Sequence, residues 1–213
     1  RRLANSRPYG IEGLLWATER GLLVFGSWYG HEVYGVTDSS ERIIEIRRID
    51  GQPFPATNTL NERKSHAIRN SQKTWPVGIL EAKNFPSIAL VEGIPDFLEA
   101  HYLARWEQAD PRTYRDVRCA PVSMLSASPR IAEDALHLFR GKLVRIFPHA
   151  DPSGQKAGKQ WADQLHGIAA KVELFSFTGL RRSNGALAND LHDCRDLDPT
   201  EYLGDESLWK LLP

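Results

Sequence analysis

The amino-acid sequence predicts an α/β protein in which a parallel βαβαβαβ sheet flanked by helices follows a small α+β part with an antiparallel meander. Three observations carry this prediction. Short apolar runs alternate with helical patterns between residues 87 and 177. Strand-like runs separated only by turn residues lie before residue 50. Hydrophobic residues form 41% and charged residues 25% of the 213 residues, as in ordinary globular proteins.

The first part of the chain is predicted to hold one short helix and a three-stranded meander. The helix covers 11–20, and the strands cover 22–25, 32–37 and 42–49, with turn residues between them. In the third strand Ile44 and Ile46 alternate with Glu45 and Arg47, so we expect one face of this sheet to meet solvent. The polar stretch 51–75 has no strong period.

The parallel sheet is predicted from four strands with helices between them. The strands cover 87–91, 117–124, 143–147 and 172–177, and the helices run from Pro95 to about Trp106, from a cap at Ser128-Pro129, and over 155–169. Strands that alternate with helices form parallel sheets. The remaining tail is polar and then weakly helical. The expected domains are therefore 1–80, 81–180 and 181–213.

Composition excludes several classes of protein. The 27 Lys and Arg residues balance the 27 Asp and Glu residues, so the chain is not a polycation that holds nucleic acid by bulk charge. No apolar run is long enough to cross a bilayer, so no membrane partner is expected. Two cysteines cannot build a disulfide scaffold, which favours a reducing, cytoplasmic location. The chain does not begin with Met, which suggests a fragment or a processed product.

Acidic side chains follow three of the predicted strands. Glu92 and Asp96 come after the first strand, Asp151 after the third, and Asp190 after the fourth and a loop. Ligands of open α/β sheets bind beyond the carboxyl ends of the strands, so these side chains are expected to share one rim. Carboxylates from different strands can converge on a hard cation such as Mg²⁺.

These segments resemble the signatures of the Toprim family. Glu92-Gly93-x-x-Asp96 is similar to its first motif, and His149-Ala150-Asp151-Pro152-Ser153-Gly154 is similar to its Asp-x-Asp-x-x-Gly motif. Asn189-Asp190 resembles the downstream pair of phage- and plasmid-type Toprim primases. The Toprim resemblance covers about 87–190, and the upstream segments 38–51 and 75–78 resemble the N-terminal part of the same primases.

The resemblance implies a role for each matched residue. Glu92 is implied to be the general acid/base of phosphodiester chemistry or an outer metal ligand. Asp151 is implied to bind Mg²⁺ or Mn²⁺, and Asp190 to complete the acidic cluster. Asp96 either acts as a further metal ligand or caps its helix and orients Glu92. Divalent ions in such sites neutralise a triphosphate and activate a hydroxyl group.

His149 departs from the family pattern, because it stands where the motif has its first Asp. A neutral imidazole suits Mn²⁺, Fe²⁺ or Zn²⁺ better than Mg²⁺. Three interpretations remain open: a metal site with His149 as a ligand and a preference for softer ions, a histidine that contacts phosphate or substrate, and a degraded catalytic site.

Basic residues supply candidates for phosphate contacts. Arg63, Lys64, Arg69 and Lys73 precede Trp75 and could line a channel for template or nucleotide phosphates. The alternative is a solvated loop face with Trp75 packed into a domain junction. Arg181 and Arg182 could also reach phosphate, although two residues are a weak signal.

The resemblance implies a primase-type nucleotidyltransferase that makes RNA primers on single-stranded DNA from NTPs, in the replication of a phage, plasmid or other mobile genetic element. A replicative helicase or a separate zinc-binding module is an expected partner, since such primases often carry both. The alternatives are a metal-dependent Toprim nuclease and a nucleic-acid-binding module that has lost catalysis.

Overall fold

The computed structural model describes residues 2–6, 9–57, 61–108, 117–125, 130–197 and 211–213. The helices are α1 (Arg2–Ser6), α2 (Ile11–Glu19), α3 (Gly93–Gln108), α4 (Glu133–Leu136) and α5 (Pro152–Leu165). The strands are β1 (Leu23–Trp28), β2 (His31–Val36), β3 (Glu45–Arg48), β4 (His66–Ala67), β5 (Ser87–Glu92), β6 (Cys119–Met124), β7 (Leu143–Phe147) and β8 (Lys171–Leu174). The 3₁₀ turns are His137–Phe139 and His192–Asp196. The predicted cap at Ser128-Pro129 and tail residues 198–210 lie outside the described residues.

The first four strands form an antiparallel sheet in the order β1-β2-β3-β4. Tyr34 of β2 pairs with Phe25 of β1 and with Arg47 of β3, so the predicted meander is confirmed. Strand β4 was not predicted, because it is only two residues long and lies in the polar stretch.

Both faces of this sheet are covered around β2 and β3, so the expected solvent face is wrong there. Tyr34 and Val36 belong to the main core, while Val33 and Ile46 on the other face pack with Phe54. The polar stretch brings Phe54 onto that second face, which its lack of periodicity did not reveal. Glu45 lies on the face of the main core and is only 8% exposed, although its alternation with isoleucines suggested a solvated side chain.

The second sheet is parallel in the order β6-β5-β7-β8, and its strands alternate with α3, α4 and α5 as predicted. Every residue of the central strand β5 is buried, as its apolar run requires. Helix α5 begins three residues earlier than predicted, because Asp151 caps it and Pro152 suits its first turn. Strand β8 ends at Leu174, three residues before the predicted end.

Asp38 joins the two sheets. Its buried carboxylate accepts hydrogen bonds from the Trp75 Nε1 (2.7 Å) and from the Gly78 backbone N–H (3.2 Å). Val77, directly before Gly78, forms an isolated antiparallel β-bridge with Ser123 of β6. Trp75 is 3% exposed and carries the Arg42 guanidinium over its ring at 4.1 Å. Of the two interpretations of Trp75, the packed residue at a junction is therefore the one observed.

None of the helices in the described part of the chain has the length and apolar character needed to cross a bilayer.

Candidate active site

The strand-to-helix turn after β5 places the first two acidic residues. Glu92 is the last residue of β5, and Gly93 begins α3 with a φ of 84°, a conformation that a side chain would strain. Asp96 lies in the first turn of α3 and is 1% exposed. The glycine of the first motif is therefore explained by the sharp turn that directs both carboxylates to the end of the sheet.

His149 is held in the loop between β7 and α5. A Cβ atom on Gly154 would lie 2.7 Å from both the Cβ and the carbonyl oxygen of His149, so only glycine lets the helix approach this closely. The Gln155 side chain donates to the same carbonyl oxygen at 3.0 Å. Asp151 is exposed and accepts the Gly154 backbone N–H at 2.8 Å as the cap of α5.

The segment that carries Asp190 is tied to both of these turns. The Ala150 backbone N–H donates to the Asn189 carbonyl at 2.8 Å. The His192 backbone N–H donates to the Asp96 Oδ1 at 3.1 Å, while Asp190 accepts the Asp193 N–H at 2.9 Å. The last acidic segment thus reaches the rim of the sheet through backbone hydrogen bonds from two directions.

The convergence of these segments produces a cluster around the His149 imidazole. The His149 Nε2 donates to the Asp96 Oδ2 at 3.1 Å, and its Nδ1 lies 3.9 Å from the Glu92 Oε1. Asp96, His149 and Asp190 each offer a ligand atom, and these atoms lie within 4.8 Å of one another. The structure thus brings together four of the predicted site residues.

Burial and mutual charge determine the protonation of the cluster. Burial raises the pKa of Glu92 and raises the pKa of Asp96 to about 6, although His149 acts in the opposite direction on both. For His149, burial disfavours the charged ring, but the hydrogen bond to Asp96 and the charges of Glu92 and Asp190 outweigh it and raise its pKa to about 9. The upward shift of the His149 pKa therefore favours an imidazolium beside the Asp96 carboxyl group at neutral pH.

Glu92 provides a test of whether a cation fits this cluster. The residue is 8% exposed, and its Oε2 is buried without a hydrogen-bond partner in the described structure. A buried carboxylate oxygen without a partner is costly, and a metal ion beside the cluster would satisfy it. One nitrogen and several carboxylate oxygens form a donor set that Mn²⁺ accepts, so the residues fit a divalent ion.

A buried ion pair behind the cluster was missed by the sequence analysis. Glu99 is fully buried on α3, three residues after Asp96, and accepts from the Arg195 Nη2 at 2.5 Å and Nε at 3.2 Å. The His192 Nδ1 lies 3.4 Å from the same carboxylate. The signal in the sequence was the helical i, i+3 spacing of Asp96 and Glu99, which places both on one face of α3.

The predicted phosphate-contacting residues differ in how accessible they are. Lys64, Arg69 and Lys73 are exposed, and Arg63 is half-buried. Arg181 is exposed and donates to the Gly185 carbonyl at 3.0 Å. Arg182 instead forms ion pairs with two acidic residues of the last 3₁₀ turn, Asp193 (2.9 Å) and Asp196 (3.1 Å), so it stabilises that turn.

Comparison with known proteins gives a structural match without a sequence match. No known protein-family profile matches the chain, and no curated protein sequence is significantly similar to it. Among solved structures, the primase fragment of the primase-helicase protein of bacteriophage T7 matches 90% of this chain and 67% of its own, with a TM-score of 0.50 and 12% identity. At this identity the likeness shows that the chain has the fold of that primase fragment.

Proposed function

We propose that this chain is a Toprim-type primase core that carries out metal-dependent nucleotidyl transfer and makes RNA primers on single-stranded DNA. The observation that carries the proposal is the convergence of Glu92, Asp96, His149 and Asp190 at one end of the parallel sheet. It is supported by the likeness of the fold to the primase fragment of a phage primase-helicase protein.

Each residue of the cluster has a role in this proposal. Asp96, His149 and Asp190 would hold a divalent ion, for which the His149 ring would have to give up one of its protons, and Asp96 would also orient the ring by its hydrogen bond. An ion held there would neutralise charge on the triphosphate and lower the pKa of a hydroxyl group. Glu92 accepts the proton of the attacking hydroxyl, because burial raises its pKa and so makes the carboxylate a stronger base, and because its Oε2 has no hydrogen-bond partner in the described structure.

In the same proposal, each of the three expected domains contributes different functional residues. Residues 1–80 supply template contacts through the exposed cations Lys64, Arg69 and Lys73. Residues 81–180 hold Glu92, Asp96 and His149, and residues 181–213 supply Asp190. Asp151, which caps α5, contributes negative charge beside Glu92. NTPs and single-stranded DNA are the proposed substrates, in a phage, plasmid or other mobile element, with a helicase or a zinc-binding module as partner.

Primer synthesis from NTPs on a single-stranded template tests the proposal. We expect Glu92→Gln to lower the rate at least about 100-fold, as loss of a general base does. The control is Asp163→Asn, which alters an exposed acid on α5 and should leave the rate unchanged. Full activity of the Glu92→Gln variant would remove Glu92 from the mechanism.

Synthesis should be faster with Mn²⁺ than with Mg²⁺, because His149 supplies a nitrogen ligand.

A nucleic-acid-binding module without catalysis is the second candidate, and one observation favours it. The His149 imidazolium already offsets the charges of Glu92 and Asp96, so it stands where a cation is needed. In that case, single-stranded DNA should bind, and no metal-dependent synthesis should appear with either Mn²⁺ or Mg²⁺.

A further inference from the structure

The turn between β1 and β2 contains a tyrosine in a strained backbone conformation. Trp28 pairs with His31 at the end of the hairpin, which leaves Tyr29 and Gly30 as the two turn residues, with φ angles of 46° and 79°. Such turns favour Asn-Gly or Gly-Gly, because the left-handed region is unfavourable for a bulky side chain. The Tyr29 side chain gains little packing in return, since it is 87% exposed.

A cluster of aromatic side chains supports this turn from one face of the sheet. The Trp28 ring lies 5.2 Å from the Tyr29 ring at 90° and 5.5 Å from the His66 ring. Phe54, which is 6% exposed, packs against both His66 (6.2 Å) and His31 (6.4 Å). The hairpin tip therefore lies beside packed aromatic rings and carries one aromatic ring that projects into solvent.

Two cationic side chains lie beside His66 of the same cluster. Burial and the positive charges of Arg63 and Lys73 lower the pKa of His66, which shows that both cations lie near it. The Arg47 Nε donates to the Lys64 carbonyl at 3.4 Å, so the basic segment lies along β3.

The acidic residues of this part of the chain offset these cations only partly. Asp50 is paired with Arg48, and Glu32 is paired with Arg2. Burial raises the pKa of Glu45 to about 7, so its charge is incomplete at neutral pH. Glu62 is exposed beside Arg63. The side of the cluster that carries His66 is therefore positive as well as aromatic.

We propose that the β1–β2 tip is a binding surface for single-stranded nucleic acid, on which a base stacks on Tyr29 while the cations of 63–73 contact phosphates. Exposed aromatic rings beside a basic groove are what bases and phosphates of a single strand require. The proposal rests on the proposed function only for the choice of partner. It adds a strand-binding surface on the antiparallel sheet, separate from the metal cluster.

The test is binding of a fluorescein-labelled oligodeoxythymidine to the whole chain, followed by fluorescence anisotropy at two salt concentrations. We expect Tyr29→Asn to weaken binding by about tenfold, because stacking of one base contributes about that much. Tyr29→Trp should retain binding. Asn is the residue that this turn prefers, so the Tyr29→Asn variant should fold and should unfold at a higher temperature than the wild type.

Trp106→Ala is the matched control, because Trp106 is also an exposed aromatic residue (75%) but stacks on Tyr102 of α3. Its affinity for the strand should equal that of the wild type. If the Tyr29→Asn variant bound the strand as tightly as the wild type, or if the wild-type chain did not bind it, the proposed binding surface at the β1–β2 tip would be wrong. If the chain bound the strand through Tyr29 but made no primers, the binding surface would be supported and the proposed function would be wrong.

Discussion

Asp96 is the residue on which the three acidic segments converge. It lies in the first turn of α3, accepts the His149 ring N–H from the loop after β7, and accepts the His192 backbone N–H from the last segment. Because it is buried, these two hydrogen bonds are the reason that a carboxylate is tolerated there. Its position explains how motifs that are distant in the sequence meet at one end of the sheet.

Glu45 gives a prediction at the residue scale that is independent of the site. Its pKa is raised to about 7 by burial, although the hydrogen bond from Ser65 and the nearby cations oppose the shift. The folded state therefore binds the proton more tightly than the unfolded state. The resulting stabilisation is complete below about pH 4.5 and is lost as the pH rises through about 7.

Glu45→Gln should remove this pH dependence, because glutamine stays neutral. Urea unfolding at about pH 4 and about pH 8.5 measures it. Relative to the wild type, the free energy of unfolding of the variant should rise by about 3 kcal/mol between the two pH values. An equal difference between variant and wild type at both pH values would show that Glu45 does not titrate with folding.

The loop between β7 and α5 shows how packing at the scale of an element controls the site. Gly154 lets the first turn of α5 lie against His149, and Asp151 caps the same turn. Gly154→Ala should displace His149 and lower nucleotidyl transfer by about 100-fold, since a shift of about 1 Å in a catalytic group has that effect. Gly167→Ala is a useful contrast, because Gly167 has open space around it but a φ of 78°.

The rate of primer synthesis, and the helix content and thermal stability from circular dichroism, are to be measured for both variants. We expect Gly154→Ala to keep its helix content and lose activity, and Gly167→Ala to lose some thermal stability and keep its activity. Equal activity of the Gly154→Ala variant and the wild type would contradict the positioning of His149 by this contact.

The sequence predicts elements well where a periodic pattern determines them. Alternating apolar runs and helical patterns predicted β5 to β8 and the helices between them, as well as the rim at which the acids meet. Local sequence patterns did not predict the features that depend on packing between segments distant in the sequence. Strand β4 and the cover provided by Phe54 depend on contacts that a polar stretch does not reveal. Glu99 is an acid on a helix, and its contacts with Arg195 and His192, which lie far away in the sequence, explain its burial.

At the scale of the whole molecule, the two sheets share one hydrophobic core. Residues before and after position 80, such as Tyr34, Trp75 and Leu90, belong to the same buried cluster. Asp38 also links the two sheets, because its carboxylate accepts hydrogen bonds from Trp75 and Gly78. We therefore expect the two sheets to unfold together, although the sequence suggested separate domains.

Asp38→Ala tests this coupling. Removal of a buried carboxylate that accepts several hydrogen bonds should cost about 2–4 kcal/mol of the free energy of unfolding. Calorimetry should show a single transition at a lower temperature for the variant. If two transitions appeared in the wild-type chain, the sheets would be independent units and the shared core would not couple them.

The cluster at the end of the parallel sheet is proposed to hold a divalent ion. Anomalous diffraction from a crystal soaked in Mn²⁺ tests it most directly. We expect a manganese peak bounded by the carboxylates of Asp96 and Asp190 and the His149 ring, next to the Glu92 Oε2, which has no hydrogen-bond partner among the described residues. Manganese bound only at other sites, with the His149 imidazolium still hydrogen-bonded to Asp96, would contradict it.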